Sequence, residues 1–151
     1  MLRTIIVPLF LQHIPESIAL VILASLFLLD KLNLKTIIPI GIIGGVFVFI
    51  LRSIPFTFGF HTIIFLVLLI LGYKFFYQKK LFKCSYAVLK SFIILCIFEI
   101  FTVFISTYLL GLNLEKIMED PVLKSLAITP QIFLLYLTAF IYYRKRTIKN
   151  V

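Results

Sequence analysis

Six side chains with chemical potential stand in a chain that is otherwise almost continuously apolar: His13, Glu16, Arg52, His61, Glu99 and Gln131. An ionisable group inside a lipid-embedded segment costs about 2.5–3.5 kcal/mol on insertion scales, so such groups normally face one another or a polar cavity. The carboxylates and the guanidinium can pair or hold a charged solute. The imidazoles, with an ordinary pKa of about 6.5, can act as a pH-sensitive element near neutrality. Each histidine is expected to donate a hydrogen bond rather than bind a metal, and no metal or cofactor is expected. Nucleophilic catalysis needs a thiol and an imidazole close together. Cys84 falls on the opposite side of the expected topology from His61, so the two cannot meet. There is no His-Glu-x-x-His, Gly-rich phosphate loop, Cys-x-x-Cys or paired-Asp motif, and nothing in the spacing demands that Glu16 and Glu99 act as a carboxylate pair. The expectation is a protein that is not an enzyme.

The setting of these residues is a membrane. With 62% hydrophobic and 14% charged residues and a mean hydropathy of +1.17, the chain lies outside soluble domains, which carry roughly 45–50% apolar and 25% charged residues. The fold class is therefore all-α, a polytopic helix bundle forming one transmembrane domain over residues 1–151. The net charge of +9 would suggest nucleic acid in a soluble protein, but Lys and Arg cluster at the ends of apolar runs. Membrane orientation and anionic headgroups account for them, and no nucleic-acid partner is expected. Cys84 and Cys96 are too sparse for a disulfide framework or a metal site. The abundance of Phe, Ile and Lys without Trp hints at a bacterial, low-GC coding bias.

A spanning helix needs about 20 apolar residues. The expected spans are approximately 10–30, 36–51, 60–77, 87–110 and 123–143. The N-terminal run has only Arg3 in front and no small-x-small cleavage pattern, so it is read as retained rather than as a signal peptide. The first span must include the polar kink Gln12–Ser17 or begin just before it. The second contains Gly41 and Gly45, a small-xxx-small pair, for which internal packing is favoured over homodimerisation. The segment Leu51–Thr62, with Arg52 and His61 flanking a Pro55/Gly59 turn, is expected to be a short hairpin loop at a membrane surface. A basic loop (Lys74, Lys79, Lys80, Lys83) follows the third span. Lys90, placed near the start of the fourth, can snorkel. The connector Gly111–Asp120 is polar and acidic, and the fifth span is expected to be interrupted at Thr129-Pro130-Gln131.

With the N-terminus outside, the cytoplasmic side receives Lys31, Lys35, Lys74, Lys79, Lys80, Lys83, Arg144, Lys145, Arg146 and Lys149, whereas the outer side keeps Arg3, Arg52, Lys116 and Lys124. The positive-inside rule therefore predicts N-out, C-in. On that topology the six polar residues all fall in the outer half, and Cys96, Thr102 and Ser106 share the helical face of Glu99. The inner halves read as almost wholly apolar. These placements predict a polar cavity or charge network opening outward, formed by His13, Glu16, Arg52, His61, Glu99 and Gln131. The competing reading is a satisfied buried network in which Arg52 pairs Glu16 or Glu99 and binds nothing.

Three segments carry a family resemblance: Ile14-Pro15-Glu16, Leu51–Phe56 running through Gly59-Phe60-His61-Thr62, and Leu112-Asn113-Leu114-Glu115 through Asp120-Pro121. They resemble the N-terminal membrane (sensor) regions of sporulation-type and GHKL-type sensor histidine kinases of low-GC Gram-positive bacteria. In those proteins a bundle of this length precedes the cytoplasmic kinase portion. Here the sequence stops just after Arg146, with no dimerisation helix and no ATP-binding domain. The resemblance thus implies a sensor or accessory module of the cytoplasmic membrane that works through a separate partner, such as a cytoplasmic histidine kinase or another membrane protein, with a homo-oligomer also open. A small transport component holding a solute or proton is the alternative, and a structural membrane partner without a ligand is the third reading.

Overall fold

The computed structural model describes residues 2–28, 32–53, 60–109, 111, 113, 117 and 119–149. The first helix runs without a break from Leu2 to Leu28, as α1 (Leu2–Val7), a π-helical stretch (Pro8–His13, hereafter π1) and α2 (Ile14–Leu28). Then come α3 (Leu34–Ser53), α4 (Phe60–Tyr77), α5 (Leu81–Phe104) with a second π-helical stretch, π2 (Ile105–Leu109), and α6 (Pro121–Lys149). No strand occurs among the described residues. Four stretches, Arg3–Leu28, Leu34–Arg52, Leu81–Tyr108 and Pro121–Ile148, are helices long and apolar enough to cross a membrane, and His61–Tyr77 is a shorter apolar helix. The outside of the bundle is correspondingly apolar: Ile43 is 69% exposed, Phe75 79% and Phe82 82%. A soluble monomer does not present apolar surface on that scale. The chain is an all-α, multi-pass membrane protein.

The element at the centre is α2, which packs against α3, α5 and α6, while α4 touches α3 and α5. Its sequence is apolar on every side, with Ala and Ser interspersed, and a helix of that kind belongs inside. Ala19, Val21, Leu23 and Ala24 are fully buried. The closest approach is to α3. A β-carbon on Gly45 would lie 2.6 Å from Ile14 Cα, and one on Gly41 would lie 2.7 Å from Ile18 Cα. The small-xxx-small pair therefore brings two helices of the same chain together, as close packing in lipid requires.

Several boundaries differ from the sequence expectation. The first helix starts well before the expected residue 10, at Leu2, and includes the polar segment Gln12–Ser17, one of the two expected arrangements. Pro15 has no N–H to donate, and its ring crowds the preceding turn. The chain responds by widening to a π turn, in which the Ile14 N–H bonds to Leu9 O, and one extra residue is absorbed without ending the helix. Likewise α6 is not interrupted at Thr129-Pro130-Gln131 but carries Pro130 inside a continuous helix, where the Thr129 hydroxyl turns back to Ser125 O at 3.0 Å. Helix α5 begins at Leu81, so Lys90 lies well inside it. Its Nζ sits 4.5 Å from the Phe27 ring centroid, a cation–π contact that holds it against the end of α2. In the connector, Asp120 Oδ1 accepts from Val122 N (2.8 Å) and Leu123 N (3.4 Å) and caps α6. The Pro55/Gly59 turn, Lys31, Glu115 and Lys116 lie outside the described residues.

The segments read as almost wholly apolar hold a buried polar contact. The Tyr73 hydroxyl donates to Val21 O at 2.8 Å and lies 2.7 Å from Ser25 Oγ. This buried polar clasp ties α4 to α2 far from the candidate cavity.

Candidate functional site: a charged cavity at one end of the bundle

Where α3 ends and α4 begins, the bundle encloses a cavity of about 400 Å³. That volume is within the range of small-molecule sites, about 300–1,000 Å³. The first helix contributes Gln12, His13, Glu16, Ser17 and Leu20 to its walls; α3 contributes Val48 and Arg52; α4 His61, Thr62 and Phe65; α5 Phe92, Leu95 and Glu99; and α6 Lys124. The structure thus brings together His13, Glu16, Arg52, His61 and Glu99. Gln131 does not line the cavity. It is 1% exposed, and its Oε1 has no hydrogen-bond partner among the described residues.

Arg52 is the pivot. Its Nε–H donates to His61 Nε2 at 3.3 Å, and its Nη1 lies 3.5 Å from His13 Nδ1. A guanidinium can only donate, so each imidazole presents a lone pair to it. The His13 ring is further held against Phe49, at a centroid separation of 5.7 Å. Gly45 matters here as well, because its missing β-carbon leaves room for His13 O, which would be 2.7 Å away. The close α2–α3 packing therefore places His13 opposite Arg52.

The carboxylates are arranged differently. Gln12 stands one helical turn before Glu16 and lines the same cavity. The Gln12 amide oxygen in turn accepts from the Ser125 hydroxyl at 3.2 Å, which is shared with Pro121 O at 2.7 Å. These bonds tie Gln12 to the start of α6, where Lys124 lines the same cavity. Arg52, Lys124 and Glu99 all act electrostatically on Glu16. Even so, among the described residues no ion pair joins Glu16 or Glu99 to Arg52 or Lys124. The charges face each other across open volume rather than closing on one another. Ser17 Oγ, also in the wall, is buried without a hydrogen-bond partner.

Sequence reasoning missed Gln12, Ser17, Thr62 and Lys124. Gln12 and Thr62 carry a positional signal, since they stand one helical turn before Glu16 and directly after His61. The sequence places Lys124 only among the outer-side charges, at the start of the span 123–143; in the structure α6 starts at Pro121 and Lys124 lines the cavity. The face shared by Cys96, Glu99, Thr102 and Ser106 divides. Thr102 and Ser106 are buried, while Cys96 and Glu99 also border a shallow apolar groove along α5 and π2. Among the described residues no group of three or more His, Cys, Asp or Glu side chains is placed to hold a metal ion.

No protein-family model, curated protein or solved structure matches this chain.

Proposed function

We propose that this chain is a five-span module of the bacterial cytoplasmic membrane, N-out and C-in, that binds an extracytoplasmic-side ligand in the Arg52 cavity and signals through a separate partner. The observation that carries the reading is the state of the charges in that cavity. A satisfied structural network would close Glu16 and Glu99 onto Arg52 or Lys124, whereas Arg52 and Glu99 stand exposed at the cavity and Glu16 and Lys124 half-buried in its wall. Open charges of both signs around about 400 Å³ are what a site for a charged ligand requires. Counting α4 as a span makes the topology odd and puts the termini on opposite sides. The positive-inside rule then assigns the end bearing Lys35, Lys74, Lys79, Lys80 and Arg144–Arg146 to the cytoplasm. The family resemblance of Leu51–Thr62 points the same way.

Helix α6 offers a route from site to output. It meets the first helix at the cavity through Ser125 and Gln12 and again at the basic end, where Arg146 Nη1 donates to Leu26 O at 2.8 Å. A ligand that binds two packing states of this helix unequally shifts their populations. A transport component would need a polar path onward, and beneath the cavity the core is closed by Val21, Leu23 and the Tyr73–Ser25 clasp. The test is co-purification from native membranes together with a Glu99→Gln variant. A co-purifying histidine kinase, and loss of signalling in the variant with normal protein levels, are expected. A transporter ATPase partner with loss of uptake would overturn the sensor reading.

A further inference from the structure

The charged cavity does not stand alone. Between α3 and α4 a second cavity of about 330 Å³ is lined by Phe47, Phe65, Gly72, Phe76 and Tyr77 and is almost wholly apolar. Phe65 lines both cavities. Gly44 lines the apolar cavity, and a β-carbon there would lie 2.7 Å from Ser17 Oγ and 2.9 Å from the Phe65 ring, so these two side chains fill the space at Gly44 and form the partition between the cavities. From Phe65 to Tyr77 the groove follows α4 for about 18 Å at the helical rise of about 1.5 Å per residue. The hydrocarbon of one leaflet is about 15 Å deep, half of the bilayer core. Ile43 and Phe76 on its rim are 69% and 73% exposed, so the groove opens to the lipid phase.

We infer that the ligand is a single aminophospholipid, with its headgroup in the Arg52 cavity and an acyl chain in the α3–α4 groove. This deepens the sensor reading by naming the ligand class, and it rests on that reading. A polar end and an apolar end that adjoin across the Phe65 ring, a side chain that can turn aside, match an amphiphile entering from the membrane. The charge pattern selects the headgroup. Arg52, which stands on the α3–α4 wall with the groove, faces the phosphate, and a bidentate guanidinium suits phosphate. Glu16 on the first helix and Glu99 on α5 face the amine. A purely anionic headgroup would meet two carboxylates and a purely cationic one would meet Arg52 and Lys124, so a ligand of both signs is the complement. Lys124 offsets one of the two carboxylates, and the amine of the ligand offsets the other.

The full chain, stripped of lipid in detergent, is offered phosphatidylethanolamine, phosphatidylglycerol or glycerophosphoethanolamine, and retained adducts are read by native mass spectrometry. Phosphatidylethanolamine is expected to be held one to one, about tenfold more tightly than either of the others. Gly72→Leu fills the groove, because a β-carbon at Gly72 meets nothing within 4 Å, and leucine is the better helix former. It is expected to cut lipid retention about tenfold with no loss of thermal stability, and Arg52→Gln to cut it similarly. Equal retention of phosphatidylethanolamine by Gly72→Leu and the unaltered chain would overturn the inference, as would equal retention of phosphatidylglycerol. If glycerophosphoethanolamine alone bound equally to the unaltered chain and Gly72→Leu, the lipid assignment would fall while the cavity reading stood. If no ligand responded to Arg52→Gln, both would fall.

Discussion

Four glycines on α3 and α4 allow the packing argument to be tested as a graded series. Alanine at Gly45 would put its β-carbon 2.6 Å from Ile14 Cα, 2.7 Å from His13 O and 2.9 Å from Ile14 N. All three are backbone atoms, and carbon contacts relax only at about 3.5–4.0 Å, so the helices must separate by about an ångström. At Gly41 the nearest atoms are Ile18 Cα and Cγ1, both at 2.7 Å, one backbone and one side chain. At Gly44 they are Ser17 Oγ and the Phe65 ring, which can turn aside. At Gly72 nothing lies within 4 Å. Overpacking costs about 1–3 kcal/mol, while replacing helical Gly with Ala returns up to about 1 kcal/mol. Gly45→Ala is therefore expected to destabilise by about 2 kcal/mol and Gly41→Ala by somewhat less. Gly44→Ala should change stability by under about 1 kcal/mol, and Gly72→Ala should be neutral or stabilising. Equilibrium unfolding in mixed micelles measures the series. Equal effects at Gly45 and Gly72, or a Gly45→Ala variant as stable as the parent, would refute the close α2–α3 approach. They would also remove the reason His13 sits opposite Arg52.

Other outcomes follow from single contacts. Tyr73→Phe removes the hydroxyl that bonds Val21 O and Ser25 Oγ; the expected loss is about 0.6–1.7 kcal/mol, the range measured for hydrogen bonds between membrane helices, read by the same unfolding assay. Arg146→Ala frees Leu26 O from its 2.8 Å contact and should speed amide exchange in the last turn of α2 by hydrogen–deuterium mass spectrometry while leaving exchange around Gln12 unchanged; no change at the end of α2 would argue against that link. For the topology, single cysteines are placed in a Cys84→Ala, Cys96→Ala background. Thr62→Cys should react with a membrane-impermeant maleimide on intact cells, and Lys79→Cys only after permeabilisation. The reverse pattern would overturn N-out, C-in and move the cavity to the cytoplasmic side.

How much of this was legible depended on how each feature is encoded. Charge in an apolar chain is an unambiguous signal, because an ionisable group in lipid is retained only where it has somewhere polar to face. His13, Glu16, Arg52, His61 and Glu99 could be assigned to one region from topology alone, and one cavity holds all five. Proline was misread at Pro130, whereas the first span, expected to run through the polar kink Gln12–Ser17 or begin just before it, runs through. In water a missing N–H commonly ends a helix, but in a bundle π widening and a Thr hydroxyl keep the ladder running, as they do at Pro8–His13 and Thr129. Gln131 shows the limit of depth as a guide, since it sits in the right third of its helix but on a side that buries its amide away from the cavity. The α3–α4 groove was not legible at all. When every face of a helix is apolar, periodicity no longer says which face is packed and which meets lipid, and a gap between two such helices leaves no compositional mark. Only Gly72 offers a trace, a residue with no neighbour to make room for. The polar half of the proposed ligand was thus written in residue type, and the apolar half only in three-dimensional packing. That division is why residue types point to a charged cavity, while the proposed amphiphile rests on the packing of α3 against α4.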